Sequence, residues 1–319
     1  MTTHLAVVGC GQIAEAHCKA IATLSQAELH TAVDSDLGRA RDTAQRYGAS
    51  RATADYGDVL QDGDIDAVVL CLPHDLHAPF AIHAAEAGKH ILVEKPMALN
   101  ESEAQAMIDA AAVHGVQLSI GQSSRCIPSF WKARELISSE AIGRVVNVLH
   151  QRLHYVEALS TDWRRDLDAC GGLYLPIFGS HDIDAILWIL DTQPRRVWSS
   201  LLSSGHLSAG DSDGVVGMEL ASGAIASLAF ALRCKEQRLE TLFVGERGYL
   251  RLERSAVWLD GTAVELDTSE EAFTRQMRLF VEALQKGKAV PACGRDVLAV
   301  VRSLDLAKRA HTSGQVQPF

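Results

Sequence analysis

From Leu5 to Gly121, short and almost wholly apolar runs alternate with longer helical patterns, and few folds accept such a sequence. The runs are Leu5–Val8, Leu29–Val33, Ala67–Leu72, His90–Val93 and Gln117–Ile120. A strand without a polar side must be covered on both faces. The stretches between the runs can supply that cover, so the pattern predicts a parallel sheet with crossover helices. Local signals agree: Asn100 with Glu103 has the form of a capping box opening a helix toward His114, and Gly88 stands where a helix-ending glycine is wanted.

Beyond Gly121 strands follow strands. β-type runs near Val145–Tyr155, Val197–Leu202, Gly214–Leu220, Ala224–Leu232, Leu239–Val244 and Tyr249–Leu252 accompany helices near Pro128–Ser139 and Ser180–Leu190. Turn signals between successive strands point to a large, mostly antiparallel open sheet, hence an α+β half. Two more helical stretches, Glu270–Lys286 and Arg295–Ala310, close the chain. At one domain per roughly 150 residues, the 319 residues divide into 1–122 and 123–319.

Composition narrows the function classes. Apolar residues make up 47% and charged ones 22%, the proportions of an ordinary globular protein. A formal charge of −10 has the wrong sign for neutralising phosphates along a nucleic acid. The seven cysteines are scattered and include no C-x-x-C, so they read as reduced packing residues without a disulfide framework or a metal knuckle. No apolar run approaches the roughly 18 residues of a membrane span and no leader stands at the start, so no membrane partner and a cytoplasmic location are expected.

Chemistry enters at Gly9-Cys10-Gly11-Gln12-Ile13-Ala14, a G-x-G-x-x-A run directly after the first strand and before a helix. Gly9 allows the tight turn, Gly11 lets a pyrophosphate approach the backbone, and Ala14 lets the helix pack on the strand. The helix start at Gln12 and Ile13 offers free N–H groups. Asp34 ends the second strand, near the spacing at which an acid binds the adenosine ribose and repels a 2′-phosphate. NAD is the expected cofactor, with NADP left open by Arg39 and Arg41.

Leu72-Pro73-His74 with His77, Ala84-Ala85-Glu86-Ala87-Gly88-Lys89-His90, and Glu94-Lys95-Pro96 follow in an order and spacing that resemble the glucose–fructose oxidoreductase, inositol dehydrogenase and rhizopine catabolism family (Gfo/Idh/MocA). Arg125 with Pro128, then Trp163-Arg164, Gly171-Gly172, Gly179, His181 and Asp184, extend the resemblance over nearly the whole chain. It implies a Rossmann domain followed by an α+β domain whose open sheet serves oligomer contacts, as a homodimer or homotetramer, with Leu220, Ile225, Leu228 and Phe230 as candidate contacts. It also implies hydride transfer between nicotinamide and a secondary alcohol or ketone of a sugar, sugar derivative or cyclitol. In that reading Lys95 and His181 work at the reacting oxygen. Leu72, Pro73, His74, His77, Glu94 and Lys95 border the cofactor, while Arg125, Tyr155, Trp163, Arg164 and His181 face the substrate. No metal is implied.

One departure stands out. Where the family places a carboxylate four residues before the histidine, this chain has Ile177. An orienting carboxylate selects the imidazole tautomer and stabilises imidazolium, and a wrong tautomer has cost on the order of 10⁴ in rate elsewhere. Asp184, one helical turn beyond His181, is the expected substitute, and Asp182 points elsewhere. His150, Arg152 and His154 share a strand face that reads as solvated or subunit-facing. Two alternatives stay open beside the dehydrogenase: a non-catalytic sensor of dinucleotide or sugar, and NAD-assisted glycoside cleavage.

Overall fold

The computed structural model describes residues 2–205 and 207–319, and the chain divides into two compact units. The first holds residues up to Ser123 together with Glu270–Leu298. Its elements run β1 (Thr3–Val8), α1 (Gln12–Ala22), β2 (Ala27–Val33), α2 (Leu37–Tyr47), β3 (Arg51–Thr53), α3 (Tyr56–Gln61), β4 (Ala67–Leu70), α4 (His77–Glu86), β5 (His90–Val93), α5 (Glu101–Val113) and β6 (Leu118–Ile120). The strands form one parallel sheet in the order β3-β2-β1-β4-β5-β6, so the order reverses between β1 and β4. That reversal opens a crevice at the carboxyl ends of the strands, where open α/β sheets bind ligands. The predicted cap is present, with Asn100 Oδ1 accepting from the Glu103 N–H at 2.9 Å.

The second unit contains residues 124–269 and 299–319. It begins with α6 (Pro128–Ser138), β7 (Val145–Tyr155), the single turn α7 (Leu167–Cys170), a π-helical turn (Leu175–Gly179) and α8 (Ser180–Leu190). Strands β8 (Pro194–Leu202), β9 (Asp213–Leu220), β10 (Ile225–Ala231), β11 (Arg233–Gly245), β12 (Tyr249–Glu253), β13 (Ala256–Leu259) and β14 (Thr262–Ala263) follow. Helices α9 (Ala272–Lys286) and α10 (Gly294–Ser313) and the short strand β15 (Gln317–Pro318) end the chain. The sheet has nine strands in the order β14-β13-β12-β11-β7-β10-β9-β8-β15. Only the β7–β10 pair among them is parallel, so the mostly antiparallel expectation holds.

Three features differ from the sequence reading. The stretch 270–298, expected with the second half, belongs to the first unit. Helix α9 puts Met277, Phe280 and Val281 into the core formed by Leu5, Val7, Cys18, Ile21 and Val69. Each such buried side chain is worth about 1.5–3 kcal/mol, which an exposed α9 would forfeit. Second, Leu220, Leu228 and Phe230, expected on an open sheet face, are buried, and of that set Ile225 alone is exposed. The open face instead presents Ile225, Leu149 and Val215, each more than a third exposed. Third, the helical stretch Leu167–Leu190 is apolar enough by composition to span a membrane, with mean hydropathy 1.3, but 72% of its window is buried within the protein.

Candidate functional site

The exit of β1 is built around Gly9. Its φ of +88° lies in the left-handed region, and a Cβ there would fall 2.3 Å from the Cys71 carbonyl oxygen. No side chain but hydrogen fits between the two strand exits. Gly11 has open space where its Cβ would point and starts α1 without any side-chain cap. The first N–H groups of α1 therefore remain for an external anion, supported by the helix dipole. Gln12 and Ile13 are exposed at this end, and Ala14 is buried against the sheet. Burial pushes the Cys10 thiol up, so the residue between the glycines adds no negative charge.

Asp34 closes the loop from the neighbouring strand. One oxygen accepts from the Cys10 N–H at 2.9 Å, and the other from the Asp36 N–H at 2.9 Å, with Arg39 Nη2 at 3.2 Å. A carboxylate offers about four acceptor positions, so these leave room for a ribose hydroxyl. Arg39 is more than half exposed and loosely held, so its contact can yield. Cys10, Gly11, Gln12, Arg39, Thr43 and Arg46 line one cleft. An uncapped helix start, a small-residue turn and a fixed acid fit the pyrophosphate and ribose of NAD.

Lys95 lies two residues beyond β5, at the carboxyl edge of the same sheet, and is half-buried. Its neighbours are more constrained. Glu94 is buried, its Oε1 2.8 Å from His17 Nε2, and its Oε2 accepts from the Lys95 N–H at 3.2 Å. His77 is buried at the start of α4, with Nδ1 2.7 Å from the Pro96 carbonyl oxygen and Nε2 3.0 Å from that of Leu72. Burial lowers the His77 pKa against the pull of those two carbonyls. Pro73 precedes a short turn that buries His74, whose ring stands 5.7 Å from that of His77. The residues expected to border the cofactor thus form the floor of the β4 and β5 exits, and His77 is a link between loops.

In the second unit His181 is half-buried in the first turn of α8, and Ser124 Oγ is 3.5 Å from its Nδ1. Asp184 is fully buried and accepts from Arg125 through both oxygens, Nε at 2.9 Å and Nη2 at 2.7 Å. Asp184 and Arg125, expected at the histidine and the substrate, are therefore engaged with each other. Their bond fixes the turn that carries Ser124. Ile177 sits in the π-helical turn and is buried.

Sequence reasoning turned the neighbouring acid away from His181 without finding its partners, and read the β7 face as solvated or subunit-facing. Asp182 accepts from Arg152 Nε at 2.7 Å and Nη2 at 2.5 Å and from the Tyr174 hydroxyl at 2.7 Å, and His150 Nε2 lies 3.3 Å away. Desolvation works to raise the Asp182 pKa, but Arg152 and His150 overcome it and hold the group well below the carboxylate range. His150 in turn meets Thr241 Oγ1 at 2.8 Å. Of the β7 side chains read as solvated or subunit-facing, His150 and Arg152 instead meet Asp182 of α8, and the His154 ring stands 6.1 Å from that of Phe178 in the π-helical turn. An acid beside a strand with alternating His and Arg was the available signal. The remaining substrate candidates stand apart from this knot: Tyr155 is exposed at the end of β7, and Trp163 and Arg164 share a single turn in which the guanidinium lies 5.3 Å from the indole centroid.

Residues 3–122 match the family model described as oxidoreductase family, NAD-binding Rossmann fold, and residues 130–251 match the GFO/IDH/MocA C-terminal domain. An inositol 2-dehydrogenase of Rhizobium meliloti is 28% identical over 333 residues, covering 97% of each chain. Among solved structures, an aldose-aldose oxidoreductase from Caulobacter crescentus superposes with a TM-score of 0.92 at 22% identity, over the full length of both chains. A levoglucosan dehydrogenase in complex with NADH and levoglucosan gives 0.92 at 21%, covering 100% of this chain and 99% of the other. With its Gly-rich turn, the acid at the end of the second strand and Lys95 at the sheet edge, the chain belongs to the Gfo/Idh/MocA oxidoreductase family, an NAD-dependent dehydrogenase/reductase family whose NAD-binding Rossmann domain it carries.

Proposed function

We propose that the protein oxidises a secondary alcohol of a sugar, sugar derivative or cyclitol, with Lys95 and His181 acting on the reacting oxygen. Bound NAD supplies the hydride acceptor. The chain's own work is to orient the alcohol and remove its hydroxyl proton. The observation that carries the reading is Lys95, held on a half-buried turn at the carboxyl edge of the sheet whose β1 exit forms the dinucleotide site. A lysine amine beside a cofactor cation loses its proton more readily than one in water. It then accepts the hydroxyl proton and passes it to solvent.

Ser124 Oγ stands 3.5 Å from His181 Nδ1. The imidazole at the start of α8 hydrogen-bonds the reacting oxygen while Lys95 takes the proton. Asp184 serves this arrangement as a positioning residue, through Arg125 and the Ser124 turn. Trp163 and Arg164 supply stacking and hydrogen bonds for a polyol. Ile177 favours a second reading, a sensor that binds NAD without turnover. Incubation with NAD and a panel of sugars, sugar acids and cyclitols separates the two. The dehydrogenase develops nicotinamide absorbance near 340 nm with at least one substrate, whereas the sensor binds NAD and stays silent with all.

A further inference from the structure

We infer that His17 and His77 are positioning residues for Lys95, bracing the Glu94-Lys95-Pro96 turn from both sides. The inference rests on the reading of Lys95 as the proton acceptor. Each neighbour of Lys95 is gripped by a buried imidazole from a different helix: Glu94 by His17 of α1 and the Pro96 carbonyl by His77 of α4. Neither ring is near the surface, since His17 is 1% and His77 0% exposed. His77 Nε2 also lies 3.0 Å from the Leu72 carbonyl oxygen, which sets the turn beside the exit of β4, and the neutral ring donates its one N–H to one of the two carbonyls at a time. The Glu94 carboxylate is confined further by Gly121, where an added Cβ would come within 2.9 Å of Oε1.

The energetics favour one geometry. A buried carboxylate oxygen that loses a hydrogen-bond partner suffers a desolvation penalty, which favours the Glu94 rotamer that meets His17. In that rotamer its second oxygen receives the Lys95 N–H, and the backbone from which the lysine side chain departs is fixed on both sides. His17 lies five residues beyond the start of α1, the helix whose first N–H groups are left for the pyrophosphate. The same helix thus registers both the phosphate site and the lysine. Misplacing a catalytic group by about 1 Å can cost on the order of a hundredfold.

The test combines turnover with a readout that needs no substrate. Lys95 acylation by an amine-reactive ester is followed across pH by peptide mass spectrometry in wild type, His17→Ala, His17→Gln, His77→Ala and His77→Gln, each with NAD bound. The brace predicts that the alanine variants shift the midpoint of Lys95 labelling or change its rate at least threefold. It predicts a fall in kcat on a confirmed substrate of roughly ten- to a hundredfold, larger than the change in NAD affinity. The glutamine variants, which keep one donor, recover most of both losses. Folded alanine variants whose Lys95 labelling and kcat match wild type overturn the inference. If an alanine variant does not fold, His17→Asn replaces it, since its amide is too short to span the same gap; equal behaviour of His17→Asn and His17→Gln overturns the inference as well. Failure of the function reading is distinct: wild type then turns over no substrate, while the labelling arm still reports the brace.

Discussion

Replacing Asp182 by Asn removes one charge from the centre of the α8–sheet contact while keeping the side-chain volume. In wild type the carboxylate accepts two bonds from Arg152 and one from Tyr174, with His150 3.3 Å away. Asn offers a single acceptor oxygen and directs an NH₂ group toward donors, which leaves the Arg152 cation short of its counter-charge. Removing one partner of a buried ion pair costs about 3–5 kcal/mol. At about 2–4 °C per kcal/mol for a domain of this size, the melting temperature should fall by about 6–20 °C. Calorimetry and urea unfolding of Asp182→Asn beside wild type provide the measurement. The double variant Asp182→Leu with Arg152→Leu supplies the control, because a matched apolar pair is often neutral; it should recover at least half the loss. NAD affinity, carried by the first unit, should stay within about twofold. A loss below about 1 kcal/mol for the single variant would refute the argument that the network anchors the start of α8.

Three shorter expectations accompany it. Asp34→Ala should weaken NAD at least tenfold, since a bond to a charged group is worth about 1.5–3 kcal/mol, and should narrow any preference over NADP; isothermal titration reads both. His77 has a folded pKa below its ordinary value through burial, as has His90. The unfolded chain therefore binds protons more readily, and the stability these rings contribute is intact above about pH 6.5 and lost as pH falls below it. Thermal unfolding between pH 7.5 and 5.5 should show the decline, His77→Gln should flatten it, and the contribution of Asp182 should be lost only in much stronger acid. We also propose that the open sheet face joins copies of the chain, so Leu149→Lys with Ile225→Lys should shift the sedimentation coefficient toward the monomer; a wild type already monomeric at micromolar concentration contradicts this.

The first half was legible because its strands are apolar on both sides. Leu5–Val8, His90–Val93 and the turn at Gly9 need only local pattern, and the structure keeps them. Arg51–Thr53 went unseen because three residues at a sheet edge carry no period. The first part of β11, Arg233–Arg238, lies outside the run that begins at Leu239 because its charged side chains face solvent, and its backbone pairs with β7 only at Arg233 and Arg238, with an irregularity between them. Leu228 and Phe230 were put on the wrong face because alternation shows that two faces exist and not which one the helices cover. Asp184 and Asp182 follow the same lesson. Helical spacing put Asp184 on the face of His181 and turned Asp182 away from it, but could not name their partners, Arg125 and Arg152, which come from segments 59 and 30 residues away. His17 drew no expectation from the sequence, because its partner, Glu94, lies 77 residues on.

The most direct test of the central claim follows the hydride itself. Wild type and Lys95→Met are incubated with NAD and carbon-deuterated sugars and cyclitols, and the nicotinamide product is weighed by mass spectrometry. Wild type should produce NADH one mass unit heavier with at least one substrate, and Lys95→Met should bind NAD within a few-fold of wild type yet transfer little or no deuterium. Wild type that binds NAD but transfers deuterium from none of the panel, or Lys95→Met that transfers it at the wild-type rate, would contradict the account.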